Sequence, residues 1–98
     1  MNTFYVYILE CSDRSYYTGI TSNLEKRLKE HHAGSYEDSY TYKRRPVQLV
    51  YYTTFTEPSL AIDTEKQIKK WSRAKKEALI KNDFKSLRNL ARKDFSSD

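Results

Sequence analysis

Residues 4–21 of the chain read FYVYILECSDRSYYTGIT. The segments 4–11 and 15–20 are rich in β-branched and aromatic residues, and the polar residues between them are typical of a turn, so we expect an antiparallel hairpin. Both faces of the first segment are apolar or aromatic, which predicts a central strand. Tyr7 and Tyr17 can then stand on neighbouring strands.

The hairpin leads directly into a predicted helix near 22–33. Ser22, with an acidic residue three positions later, fits a capping box that begins the helix. Gly34 is typical of a helix end. Arg27 and His31 are four residues apart and therefore share one face of this helix.

The remainder of the chain carries one more strand pattern and then helix patterns. Residues 47–55 are almost entirely β-branched, aromatic or apolar, which favours a third strand. Apolar spacing predicts helices near 58–71, 73–82 and 84–94. We expect an α+β fold in the order β-β-α-β-α-α-α, with a three-stranded antiparallel sheet flanked by helices. The length of 98 residues suits a single domain over 1–98.

The helix predicted near 58–71 carries the carboxylate of greatest interest. Glu65 lies at the edge of the face that we expect to be buried. A salt bridge from Glu65 to Lys69, one turn on, is the plain structural alternative to any chemical role. The residues expected to form the buried stripe are Leu60, Thr64, Ile68 and Trp71.

The composition favours a basic cytoplasmic protein. Lysine and arginine number 18 against 13 aspartate and glutamate, so the formal net charge is +5. A positive excess favours a polyanionic partner such as nucleic acid. We find no run of eighteen apolar residues and no leader pattern, and we expect neither a membrane span nor secretion. Cys11 is a lone cysteine, expected to be a buried apolar residue rather than a nucleophile, which suits a reducing cytoplasm.

Two basic clusters are candidate contacts for nucleic-acid phosphates. The first ends the long loop 34–46, where tyrosines alternate with charges and could offer stacking surfaces. The second follows the helix that carries Glu65. The alternative is that the charges are solvated faces and the loop tyrosines pack on the sheet. The six candidate residues are Lys43, Arg44, Arg45, Lys69, Lys70 and Arg73.

Several of these residues together resemble the signature of the GIY-YIG nuclease family. Tyr5-Val6-Tyr7 stands where the first triplet belongs and Tyr17-Thr18-Gly19 where the second belongs. The resemblance covers roughly residues 3 to 80 and looks closest to the small stand-alone bacterial branch, which is related to the excision-repair incision nuclease. The chain departs from the pattern at Tyr5, which replaces a glycine, at Val6, which replaces an isoleucine, and at Ile20, which stands where that incision nuclease has a lysine.

The resemblance implies a catalytic role for five residues. Glu65 would bind one divalent cation, Mg²⁺ or Mn²⁺. Tyr7 and Tyr17 would position or deprotonate the attacking water, and which of them is the base stays open. Arg27 would bind the scissile phosphate, although pairing with a neighbouring glutamate is its structural alternative. His31 is a candidate proton acceptor for a tyrosine, and we expect all five residues to converge on one concave surface.

The leading hypothesis is therefore a metal-dependent DNA endonuclease of the cytoplasm, acting in repair or recombination. A second hypothesis is a nucleic-acid-binding module without intrinsic cleavage, or one that cuts only when a protein partner delivers it to DNA. A third is an interaction domain with incidental basicity. The first two predict salt-sensitive DNA binding, and only the first predicts cleavage that depends on a metal.

Overall fold

The computed structural model describes residues 2–83 and 85–87. The strands within them are β1 (Phe4–Glu10), β2 (Tyr16–Thr21) and β3 (Gln48–Phe55). The helices are α1 (Leu24–Ala33), α2 (Pro58–Lys70) and α3 (Arg73–Ile80), with a short 3₁₀ turn at Tyr42–Arg44. Of the last predicted helix, 85–87 are helical and the rest lies outside the described residues.

The strands form one antiparallel sheet in the order β2-β1-β3, which confirms the predicted α+β fold. The central position of β1 is also confirmed, because this strand pairs on both sides and its middle residues are fully buried. In the hairpin Tyr7 lies opposite Gly19 and Leu9 opposite Tyr17. Tyr7 and Tyr17 are therefore diagonal neighbours on one face of the sheet.

Helices cover the two faces of the sheet. On one face, Val6 and Ile8 pack with core residues of α2 and α3, namely Ala61, Ile68 and Leu79. On the other face, Tyr7 and Leu9 pack with Cys11, Val47 and the half-buried leucines of α1. Among the described residues no helix is long and apolar enough to cross a bilayer.

The N-cap of helix α1 lies one residue later than predicted. Its N-cap is Asn23, whose side-chain oxygen accepts a hydrogen bond of 3.1 Å from the backbone N–H of Lys26. The predicted cap at Ser22 is wrong because β2 continues to Thr21, whose hydroxyl accepts from the N–H of Asn23. Asparagine and serine are equally good caps, so composition does not separate the two positions. The predicted end at Gly34 is confirmed by its left-handed backbone, with φ of 67°.

Helix α2 turns a different face to the sheet than predicted. Its buried residues are Ala61, Glu65 and Ile68, whereas Leu60 is 55% exposed. The predicted stripe is therefore wrong at Leu60. The small side chain of Ala61, which is fully buried, lets the helix approach the strands closely. This rotation turns the Glu65 side chain inward.

Candidate active site

The phenol of Tyr7 lies across Gly19 of the neighbouring strand. A Cβ atom added to Gly19 would be 2.5 Å from both Cζ and Oη of Tyr7, and Cβ atoms in proteins do not approach other atoms so closely. Any side chain at this position must therefore displace the phenol. Gly19 is needed here for the space it leaves beside β1.

A chain of buried hydrogen bonds begins at the same phenol. The Oη of Tyr7 and the Nε2 of His31 are 2.9 Å apart, and both side chains are buried. The other ring nitrogen of His31, Nδ1, is 2.9 Å from Oγ1 of Thr41. Thr41 in turn lies 3.2 Å from Oγ of Ser39. Elements β1 and α1 are thus linked to the loop between α1 and β3.

Tyr17 lies against the Tyr7 and His31 pair. Its ring centroid is 6.3 Å from that of Tyr7 and 5.4 Å from that of His31, which it meets edge-on. Tyr40 stacks on Tyr17 at 6.2 Å, with 21° between the ring planes. The guanidinium of Arg44 lies 3.8 Å from the centroid of Tyr40. The loop therefore braces Tyr17 through Tyr40.

Arg27 borders an open cleft of about 200 Å³ beside this cluster. Its Nε is 3.6 Å from a carboxylate oxygen of Glu30, and its guanidinium is 5.9 Å from the ring of Tyr36. This is the glutamate pairing that we considered as the structural alternative. The cleft is lined by Thr21, Ser22, Asn23, Lys26, Arg27, Glu30 and Tyr36.

Glu65 approaches from the other layer of the molecule. Helix α2 packs on the face of the sheet opposite to Tyr7 and Tyr17. The buried carboxylate of Glu65 is 2.8 Å from the ammonium of Lys69, and this hydrogen bond raises the pKa of Lys69. The ion pair considered as an alternative for Glu65 is therefore present.

The two layers meet around β2, which is an edge strand. A cleft of about 290 Å³ is bordered by Tyr17 and Tyr40 on one side and by Lys69 and Lys76 of α2 and α3 on the other. Burial lowers the pKa of the Lys76 ammonium. Burial is the largest cause of the raised pKa of the Tyr7 phenol, and the negative charge of Glu65 adds to it.

Burial sets the protonation states of the central pair. It raises the pKa of Tyr7 above its ordinary value of about 10, and the nearby phenol of Tyr17 adds to the rise, while the positive charge of Arg27 opposes it. Burial also lowers the pKa of His31 below its ordinary value of about 6.5, and the positive charge of Arg27 lowers it further. At neutral pH a protonated phenol therefore faces a neutral imidazole.

The five predicted residues occupy two groups. Tyr7, Tyr17 and His31 are in mutual contact, whereas Arg27 pairs with Glu30 and Glu65 pairs with Lys69. We expected one concave surface, but the arrangement has two sides, because Glu65 belongs to the layer behind the edge strand. Sequence reasoning identified Gly19 only as part of the second triplet and Tyr40 only as a loop tyrosine, and it missed Thr41; the contacts of all three depend on register and loop path.

The arginines of the loop cluster have local partners. The Nε of Arg44 is 3.1 Å from a carboxylate oxygen of Asp13, and its Nη1 donates to the backbone oxygen of Tyr40 at 2.8 Å. Arg45 donates to the backbone oxygen of Tyr42 at 2.9 Å and lies over that ring. Both residues therefore hold the loop in place.

The second basic cluster is similarly divided. Arg73 pairs with Glu77 at 2.9 Å, lies over the ring of Tyr16 and donates to the backbone oxygen of Arg14. Lys43 and Lys70, by contrast, are exposed and form no ion pair within the described part of the chain. Of the six candidate residues, these two lysines are the most open to an external partner.

Glu65 is the carboxylate that the sequence predicts as a metal ligand. Within residues 2–83 and 85–87 no group of three His, Cys, Asp or Glu side chains is arranged to hold a metal ion. One carboxylate suits Mg²⁺, which keeps several waters and takes one or two carboxylates from a protein. A carboxylate has about four acceptor positions, so Glu65 can serve both Lys69 and a hydrated cation.

Comparison with known proteins identifies what the chain is similar to. Residues 3–86 match the GIY-YIG catalytic domain. A UPF0213 protein of Syntrophus aciditrophicus is 54% identical over 83% of this chain and 93% of its own length. A UPF0213 protein of Staphylococcus saprophyticus is 46% identical over 82% of this chain and 96% of its own length. The similarity thus extends over nearly all of each relative.

Two solution NMR structures resemble the fold. A protein of E. faecalis superimposes with a TM-score of 0.60 at 36% identity, covering 84% of this chain and 86% of that one. A UPF0213 protein of Bacillus halodurans superimposes with a TM-score of 0.54 at 42% identity, covering 81% and 83%.

Proposed function

The chain belongs to the GIY-YIG nuclease family, in its small UPF0213 branch, and from this we propose that it is a divalent-metal-dependent DNA endonuclease that hydrolyses phosphodiester bonds. The observation that carries the proposal is the buried hydrogen bond between Tyr7 and His31 beside Tyr17. A phenol in contact with a neutral imidazole is a pair that can move a proton, which water attack on a phosphodiester requires.

Tyr7 alone is a poor base, because burial raises its pKa. Contact with His31 removes this difficulty. As the phenol oxygen takes a proton from the attacking water, the phenol's own proton passes to Nε2 of His31 over the 2.9 Å hydrogen bond. The hydroxide attacks phosphorus while the bond from phosphorus to the leaving ester oxygen breaks. The leaving oxygen takes a proton from solvent, and the imidazolium later returns its stored proton to solvent through Tyr7. Tyr17 would orient the water from its position beside both rings.

Arg27 and Glu65 provide the charges. Arg27 borders the open cleft of about 200 Å³, where its guanidinium can bind the scissile phosphate and offset developing negative charge. Glu65, whose buried carboxylate lies beside Lys69 on α2, would hold Mg²⁺ or Mn²⁺. When bound, such a cation neutralises phosphoryl oxygens and assists the leaving oxygen.

A second candidate function is a nucleic-acid-binding module that does not cleave by itself. The ion pairs of Glu65 with Lys69 and of Arg27 with Glu30 favour this alternative, since they engage both charged groups internally. Under this alternative a protein partner would deliver the chain to DNA and release the two groups. A role in DNA repair or recombination rests on the resemblance to the excision-repair nuclease.

A cleavage assay separates the two candidates. We expect purified protein to cut at least one of branched, nicked or single-stranded DNA in Mg²⁺ or Mn²⁺, and EDTA to abolish the activity. Tyr7→Phe should lower the rate on the order of a hundredfold or more, because it removes the proton-transferring hydroxyl. Tyr5→Phe is the matched control, since Tyr5 lies on the same strand and contacts Tyr52 instead. Salt-sensitive binding without cleavage would favour the second candidate.

A further inference from the structure

Thr41 is a fully buried polar residue in the loop between α1 and β3. Its hydroxyl lies on the far side of His31 from Tyr7, so that each ring nitrogen of the imidazole has one partner at 2.9 Å. From this arrangement we propose that Thr41 is a positioning residue, which keeps the imidazole hydrogen on Nδ1 and leaves Nε2 of His31 bare to accept the proton of Tyr7. The catalytic consequence rests on the proposed nuclease function.

The hydrogen bonds have a consistent direction only in one arrangement. A neutral imidazole has one donor nitrogen and one acceptor nitrogen. The hydroxyl of Tyr7 carries one hydrogen, and within the described residues its hydrogen-bond partner is Nε2 of His31. A buried phenol must donate that hydrogen, so Nε2 accepts and Nδ1 carries the imidazole hydrogen. Nδ1 then donates to Thr41, which can pass its own hydrogen to Ser39.

The reverse arrangement leaves a group unsatisfied. If Thr41 donated to Nδ1, Nε2 would donate to the phenol oxygen, and the phenol hydrogen would have no acceptor among the described residues. Leaving a buried donor unsatisfied is unfavourable. The reverse tautomer would also prevent catalysis, because a nitrogen that already carries a hydrogen cannot receive the proton of Tyr7.

A purely structural role for Thr41 makes a different prediction. Valine has nearly the shape of threonine and could fill the same buried space. Serine retains the hydroxyl and loses a methyl group. If packing alone matters, Thr41→Val should behave like the parent and Thr41→Ser should not. If the hydroxyl sets the tautomer, the order is reversed.

The tautomer can be measured directly by ¹⁵N NMR of the imidazole rings in the full chain, without metal or DNA, at a pH where the histidines are neutral. His32, exposed on the next position of α1, is the internal reference, and His31→Gln assigns the signals. We expect a protonated Nδ1 and a bare Nε2 at His31 in the parent and in Thr41→Ser. In Thr41→Val the hydrogen on Nδ1 has no acceptor at position 41, a cost that opposes the preference set by Tyr7, so the Nδ1-protonated form should lose its predominance.

Cleavage kinetics provide the second measurement. Thr41→Val should lower kcat on the order of tenfold to a hundredfold, by analogy with the loss of an outer hydrogen-bond partner of a metal-ligating histidine, with KM unchanged. Thr41→Ser should restore kcat. A hydrogen on Nε2 in the parent would overturn the proposal, and so would a Thr41→Val protein with the parent's tautomer.

The failure of this inference is distinguishable from the failure of the proposed function. The NMR measurement needs no cleavage, so a chain that binds DNA without cutting it still reports the tautomer. If Thr41→Val does not fold, the parent's spectrum alone decides whether Nδ1 carries the hydrogen. A chain with the expected tautomer and no nuclease activity would refute the endonuclease and leave the positioning of His31 established.

Discussion

At the scale of single residues, the absence of a side chain at Gly19 decides where the phenol of Tyr7 lies. The hairpin register puts Gly19 directly opposite Tyr7, and the ring occupies the space that a Cβ would need. The resemblance identified Gly19 as part of a motif, and the strand pattern predicted that Tyr7 and Tyr17 are neighbours. The position of the Tyr7 ring over Gly19 follows from the register in which β1 pairs with β2, and local sequence patterns do not specify that register.

Gly19→Ala therefore tests whether the phenol of Tyr7 needs the space beside Gly19. The added methyl group should destabilise the protein by about 1–3 kcal/mol through overpacking and should lower cleavage by displacing the Tyr7 hydroxyl from His31. Urea unfolding gives the change in free energy. In a Tyr7→Leu background the same substitution should cost much less, because the phenol is gone. An equal loss in both backgrounds would show that the phenol is not what Gly19 accommodates.

At the scale of elements, periodicity predicted the existence and order of the described strands and helices but not the rotation of α2. Leu60 and Ile62 are apolar yet exposed, whereas the charged Glu65 is buried. A pattern that assumes apolar residues face the core must misplace such a helix. The path of the loop between α1 and β3 could not be predicted either, because Tyr40 contacts Tyr17 and Thr41 contacts His31, which lie in earlier elements of the chain.

The rotation of α2 predicts unequal effects for two alanine substitutions. Ile68→Ala should destabilise the protein by about 2–5 kcal/mol, because Ile68 is buried between the helix and the sheet. Leu60→Ala should change the free energy of unfolding by no more than about 0.5 kcal/mol, because its side chain is largely exposed. Urea denaturation of both variants decides the matter. If Leu60→Ala lowered the free energy of unfolding as much as Ile68→Ala, Leu60 would belong to the buried face, as periodicity predicted.

At the scale of the whole molecule, the net charge is +5, but some of the basic side chains are paired within the fold and are less available to a partner than others. Charge counting identified six candidate phosphate contacts, but three of them are arginines that brace the loop or α3 through carboxylates, rings and backbone oxygens. Lys69 is paired with Glu65. Counting charges cannot reveal such pairings, because the partners come together only in the folded chain.

This division predicts how DNA affinity responds to substitution. Replacing both Lys43 and Lys70 by alanine should weaken DNA binding and reduce the salt slope by about 0.9 for each phosphate that is no longer neutralised, without changing the melting temperature. Lys29→Ala is a control, since Lys29 is exposed and paired with Glu25. Unlike the lysine variant, Arg44→Ala should lower the melting temperature, because it removes the contacts of Arg44 with Asp13 and Tyr40. An unchanged salt slope in the lysine variant would mean that these residues do not bind DNA phosphates.

The central claim is that the Glu65 carboxylate holds the cation for phosphodiester cleavage, and its most direct test is the rate of metal-dependent DNA cleavage by Glu65→Gln. The account predicts that this variant binds DNA and folds like the parent but does not cut, since the amide keeps the shape and removes the charge. Lys69→Ala separates this role from the ion pair, because it breaks the pair and keeps the carboxylate, and should still cut. A Glu65→Gln protein that cleaves as fast as the parent in Mg²⁺ would contradict the account.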